Sequence, residues 1–122
     1  TKKVLYLTYN RLLKLDARAK IQKRNVTVTN YHGFAYAALK ANGISAGISD
    51  LIQRFIQEKP AIGAYDILII DEYQDIEQEL AELLQMIKDR KPGMQIIAVG
   101  DMEQKIYDKT TLDVESFMKG FL

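Results

Sequence analysis

Two carboxylates stand side by side directly after four aliphatic residues, in Ile67-Leu68-Ile69-Ile70-Asp71-Glu72-Tyr73-Gln74-Asp75. Such a run reads as a buried strand, and its carboxyl end is where open parallel sheets bind ligands. There the first acid can hold a Mg2+ ion, usually through water, and the second can orient or deprotonate a water in line with a phosphoryl group. Asp71 and Glu72 are therefore the candidate catalytic pair, with Asp71 the candidate metal ligand. Acids also follow strands simply because turns are polar, and Asp75 would serve equally as a helix N-cap. A second polar turn closes Ile96-Ile97-Ala98-Val99-Gly100-Asp101, with Gln104 and Tyr107 just beyond it. Gly100 permits a close turn at the strand end, and the Gln104 amide can donate to a phosphate oxygen.

A different chemistry is suggested nearer the start, in Val4-Leu5-Tyr6-Leu7-Thr8-Tyr9-Asn10. Tyr9 offers a face for base stacking, while Thr8, Asn10, Arg11 and Lys14 could hold sugar and phosphate. Tyr9 as a core residue and Asn10 as a helix cap would be equally at home. The sole histidine, His32, follows a strand-like run in Val28-Thr29-Asn30-Tyr31-His32-Gly33-Phe34. With no second histidine it cannot build an imidazole metal site, and a lone histidine is more commonly structural.

These groups need a scaffold, and composition bounds it. With 122 residues, 48% hydrophobic and 27% charged, the chain reads as one soluble globular domain. A net charge of +1 gives no global basic field, so any nucleic-acid surface must be local. The absence of cysteine removes disulfides and thiolate metal sites and is compatible with a reducing compartment, for which the cytoplasm is the default. The apolar runs are too short to span a bilayer, so no membrane partner is expected. The chain begins at Thr1 and enters a strand-like run almost at once, which reads as a fragment of something longer.

Four runs predict strands, at Val4 to Thr8, Val26 to Asn30, Ile67 to Asp71 and Gln95 to Gly100; the last two are continuous enough to suit strands buried on both faces. Helical spacing predicts a helix after Asp75 through Ile76, Leu80, Leu83, Leu84 and Ile87, N-capped by Asp75 and ended by Pro92-Gly93. Further helices are predicted from Tyr31 to Asn42 before Gly43, from Asp50 to about Glu58 with Ser49 as cap, and from about Arg11 to Lys23. Strands alternating with helices make a parallel α/β sheet the simplest architecture.

Asp71-Glu72-Tyr73-Gln74-Asp75 after an aliphatic strand resembles motif II of UvrD/Rep/PcrA-like superfamily 1 DNA helicases. The segment through Gly100, Asp101, Gln104 and Tyr107 resembles motif III of the same family. The Thr8-Tyr9-Asn10 block resembles motif Ia, and Asn30-Tyr31-His32 resembles the following motif, with Asn30 where the family usually has Thr. The resemblance implies a RecA-like (P-loop NTPase-type) domain, a three-layer parallel sheet with helices on both faces, truncated at the phosphate-loop strand. It implies ATP and Mg2+ as cofactors, Asp71, Glu72 and Gln104 as catalytic groups, and Gln74, Asp75, Gly100 and Asp101 in the nucleotide site. Thr8, Tyr9, Asn10, Asn30, Tyr31, His32 and Tyr107 would lie on the path of single-stranded or partly duplex DNA.

No Gly-x-x-Gly-x-Gly-Lys-Thr loop is present in these 122 residues, so the isolated chain is expected to bind ATP poorly and not to hydrolyse it. A second motor domain is the implied partner, and a sheet edge beside the motif III strand is expected to be exposed and open to self-pairing. After Tyr107 the sequence Asp108-Lys109-Thr110-Thr111-Leu112-Asp113 departs from the family. Two other readings stand beside the motor: a non-catalytic nucleic-acid-binding or regulatory module of the same fold, and a phosphoacceptor signalling domain. The latter fits poorly, because the first strand leads into Tyr9-Asn10-Arg11 instead of acids.

Overall fold

All four strand-like runs form strands in the computed structural model, which describes residues 2–8, 23–73, 76–100 and 114–122. They are β1 (Val4–Thr8), β2 (Val26–Asn30), β3 (Ile67–Asp71) and β4 (Gln95–Val99), paired in the order β2-β1-β3-β4. Every pairing is parallel. The register aligns Leu5 with Leu68 and Leu68 with Ile96, then Leu7 with Ile70 and Ile70 with Ala98. Because side chains alternate along a strand, these two rows share one face, and that face carries the core.

The helices that cover it are α1 (Tyr31–Ala41), α2 (Leu51–Glu58), α3 (Gln78–Arg90) and α4 (Val114–Phe121). Phe34, Ala35 and Leu39 of α1, Leu51, Ile52 and Phe55 of α2, and Leu80, Leu83, Leu84 and Ile87 of α3 join Leu5, Leu7, Leu68 and Ile70 in one cluster. Met118 and Phe121 of α4 complete it beside α3, where the Lys88 ammonium donates to the Phe121 carbonyl and lies 5.1 Å from the Phe121 ring centroid. Helix α4 has no counterpart among the expected helices, although Phe117, Met118 and Phe121 fall at helical spacing.

The opposite face is different. There Tyr6, Ile69 and Ile97 form a row, and Ile97 and Val99 are 40% and 49% exposed, so β4 is not buried on both faces as its apolar run suggests. The reason is its place: β4 is the last strand of the described sheet, and the described helices pack on the other side.

Helix boundaries follow local chemistry. Asn30 caps α1, its Oδ1 accepting from the Gly33 N–H at 3.0 Å, and the helix ends where Gly43 takes φ +73°. There the Ile44 N–H donates to the Leu39 carbonyl and the Gly43 N–H to the Lys40 carbonyl, at 2.9 and 3.0 Å, which is the Schellman pattern. Ser49 does not cap α2; a 3-10 turn, Ile48–Asp50, runs straight into the helix, so the entry is made by backbone. Nor does α3 start from an Asp75 cap. Its N-cap position is Glu77, because the residue before it, the fully buried Ile76, is placed in the core, its N–H donating to the Tyr73 carbonyl at 3.2 Å. The helix predicted from Arg11 to Lys23 lies almost wholly outside the described residues.

At the amino-terminal edge of the sheet, Asp66 ties three segments together. Its carboxylate accepts from the Lys3 backbone N–H at 2.8 Å and from the Lys91 ammonium at 2.6 Å. The Lys91 hydrogen bond, then that from Lys3, holds this carboxyl below its ordinary range. The pair is partly exposed, so it secures geometry more than it adds stability.

Gly33 carries a prediction. A Cβ at this position would lie 2.6 Å from Asn30 Oδ1 and 2.7 Å from Thr29 Oγ1, inside contact distance of the oxygen that caps α1. Gly33→Ala is expected to displace the cap and lower stability by about 1–2 kcal/mol, read by urea denaturation.

Candidate functional site

Parallel pairing brings the carboxyl ends of all four strands to one edge, so Asn30, Thr8, Asp71 and Gly100 line up along it in sheet order. Asp71 is the last residue of β3 and is half-buried. Its Oδ1 accepts from the Glu72 backbone N–H at 2.9 Å, and its Oδ2 accepts from the Tyr6 hydroxyl at 2.6 Å. Glu72 follows with φ 56°, a left-handed conformation that costs a residue with a side chain about 1–2 kcal/mol. Strain of this kind persists where the surroundings impose it and is concentrated at functional turns.

Two phenols belong to this corner. Burial, then the hydrogen bond to Asp71 and the charges of Asp71 and Glu72, push the Tyr6 hydroxyl well above its ordinary range. Burial, and secondarily the charge of Asp71, does the same to Tyr31. Tyr31 is fully buried, and its hydroxyl finds no hydrogen-bond partner among the described residues. Both phenols are therefore neutral at physiological pH and can act only as donors or acceptors.

The donor set suits Mg2+. That ion is commonly held by one or two carboxylates together with waters and substrate phosphates, whereas an all-protein cage would need more ligands. Asp71 supplies a hard carboxylate whose oxygens each keep a further lone pair after the two hydrogen bonds described. Among the described residues no three His, Cys, Asp or Glu side chains gather into a metal cage.

The other expected site residues divide. Gln74, Asp75, Asp101, Gln104, Tyr9, Asn10 and Tyr107 lie outside the described residues. Gly100 is exposed directly after β4. His32 is exposed on the first turn of α1. Asn30 is half-buried, with its side chain committed to the α1 cap. Thr8 and Tyr31 are fully buried, so the DNA contacts expected of them are not open to these side chains as placed. For Tyr31 the reason is packing: it joins Leu5 and Leu7 in the core under the carboxyl edge. Tyr6, which the sequence does not single out, is the residue that touches Asp71.

A parallel α/β sheet with an acidic pair at its carboxyl edge is consistent with a RecA-like domain and places that pair where such sheets bind ligands. Residues 4–110 match the AAA domain family, and the chain belongs to it. An ATP-dependent helicase/nuclease subunit from Lactobacillus helveticus (strain DPC 4571) is 28% identical over 109 residues, covering 89% of this chain. The chain spans 9% of that relative's length. Both findings bear out the resemblance to UvrD/Rep/PcrA-like helicases read from the four motifs. Among the described residues no helix is long and apolar enough to cross a membrane.

Proposed function

We propose that this chain is part of the ATP-binding motor domain of an ATP-dependent DNA helicase or translocase that moves on single-stranded DNA. The observation that carries the reading is the Asp71-Glu72 pair at the carboxyl end of β3, with Asp71 held by two hydrogen bonds and Glu72 in a strained turn. Mg2+, when bound with nucleotide, neutralises charge on the phosphates. Asp71 would hold the ion, through water, and Glu72 would orient an in-line water and take its proton. Gln104 donates to a phosphate oxygen, and Gln74, Asp75, Gly100 and Asp101 line the nucleotide. On the DNA side we assign His32 together with Tyr9, Asn10 and Tyr107, with Asn30 shaping the turn that presents His32.

In this reading the phosphate-binding loop and a second motor domain come from elsewhere in the intact protein, and the 122-residue chain alone is inactive. The outer side of β4, the last strand among the described residues, would then be a route to self-association of the isolated chain. The test is ATP hydrolysis by the intact protein with and without single-stranded DNA. Turnover that rises with DNA supports the motor, and no turnover under any condition replaces it with a non-catalytic binding module.

A further inference from the structure

The Tyr6 hydroxyl is accounted for neither by packing nor by the four motifs, yet it reaches the candidate metal aspartate at 2.6 Å. We propose that Tyr6 is a positioning residue for Asp71, holding Oδ2 so that the carboxylate presents one fixed edge to the water shell of Mg2+; this rests on the reading of Asp71 as the Mg2+ aspartate.

Sheet register makes the contact. Tyr6 pairs with Ile69 across β1 and β3, and Asp71 lies two residues further along the same face of β3. Two residues of strand advance about 7 Å, a span that a phenol leaning along the strand can bridge. The resulting O–H···O distance of 2.6 Å lies in the range of a charge-assisted bond.

Consider what the aspartate would do without it. The terminal torsion of an aspartate is broad, so a carboxylate held by one hydrogen bond can rotate about that anchor. The Glu72 N–H, at 2.9 Å from Oδ1, is such a single anchor. With Tyr6 added, the two oxygens are fixed by donors from two different segments, the turn after β3 and strand β1, and the remaining lone pairs keep one direction. Groups that orient a metal-binding side chain in this way typically change metal affinity by about 10–100-fold when removed. A contact that works through a water-mediated ligand belongs at the lower end of that range.

Tyr31 supplies the control. Its buried hydroxyl feels the Asp71 charge and has no hydrogen-bond partner among the described residues. Tyr31→Phe therefore removes a phenol hydroxyl from the same corner without removing the bond to Oδ2.

The experiment measures Mn2+ binding, as a probe for Mg2+, by electron paramagnetic resonance in the intact protein saturated with ADP, alongside ADP affinity without metal. Tyr6→Phe is expected to weaken Mn2+ binding about tenfold and to leave metal-free ADP affinity within about twofold, while Tyr31→Phe binds Mn2+ as wild type does. Asp71→Asn should weaken Mn2+ at least as much as Tyr6→Phe. Mn2+ affinity within about twofold of wild type in Tyr6→Phe, with Asp71→Asn weakened, overturns the role of Tyr6 and leaves the role of Asp71 standing. Unchanged affinity in Asp71→Asn overturns the reading beneath it. Equal losses in Tyr6→Phe and Tyr31→Phe overturn the proposal by making the effect one of general environment. Should Tyr6→Phe fail to fold, 3-fluorotyrosine placed at position 6 keeps the hydroxyl and reports on it. Its fluorine resonance must then move when Mg2+ is added to the ADP complex, and a resonance that stays fixed overturns the proposal.

Discussion

Replacing Glu72 by Gln in the intact protein is expected to lower ATP turnover by about 10²–10⁴-fold while nucleotide affinity changes little. The amide keeps the length and shape of the side chain and can still touch a water, but it cannot take up a proton. The backbone makes this a clean substitution. Glu72 sits at φ 56°, and Gln there bears the same left-handed backbone penalty as Glu. Asp71 is equally undisturbed, because its bond from residue 72 comes from the backbone N–H. Steady-state hydrolysis together with fluorescent ADP binding separates the outcomes. Turnover lost with binding intact assigns Glu72 to the chemical step, whereas turnover retained within about threefold removes it as the base.

A companion substitution probes the turn itself. Glu72→Gly places the residue best suited to positive φ where the chain already adopts it, which removes a backbone penalty of about 1 kcal/mol, while turnover is lost. A gain in stability with a loss of activity would mark the strain as a cost of function.

The physical reasons why some features are legible in the sequence and others are not show in individual residues. The strands are legible because each is a short β-rich run bounded by polar turns, and the observed limits differ only in that β4 stops at Val99. The end of α1 is legible because Gly43 is the residue type that a left-handed helix stop prefers. The start of α3 is not, because Asp75 is a favoured cap type and Glu77 is not, yet the helix begins after Glu77 with no side-chain cap bond, once Ile76 has been buried, a tertiary event. Position in a motif likewise does not tell which way a side chain faces. Tyr31 and His32 are neighbours in one block, yet the helix turns the first into the core and the second to solvent. The Tyr6–Asp71 bond joins residues 65 apart and depends on β1 lying beside β3 in one register, which no local pattern states. The acidic pair can be read because its chemistry is contiguous; the group that orients it cannot.

That orientation depends on the helical layer, and Phe55 is where the layer can be broken. Phe55 is 1% exposed on α2 and packs against Phe34 of α1, with ring centroids 5.8 Å apart and planes tilted by 59°. It thus joins two helices that cover Leu5, Leu7, Leu68 and Ile70 on the strands leading to Thr8 and Asp71. Phe55→Ala removes the buried ring and leaves a cavity between elements that can close only by moving, an expected loss of about 3–5 kcal/mol. A small domain holds about 5–15 kcal/mol in all, so the variant should be partly unfolded or close to it at about 37 °C. Urea denaturation of the chain, followed by circular dichroism, measures the shift in midpoint. Tyr36→Ala on α1 serves as the comparison: Tyr36 is 52% exposed and its truncation should cost no more than about 0.5 kcal/mol. Similar midpoints for the two variants would mean that α1 and α2 are not packed through the Phe34–Phe55 contact. A large, selective loss in Phe55→Ala would establish that the corner carrying Asp71 rests on that layer.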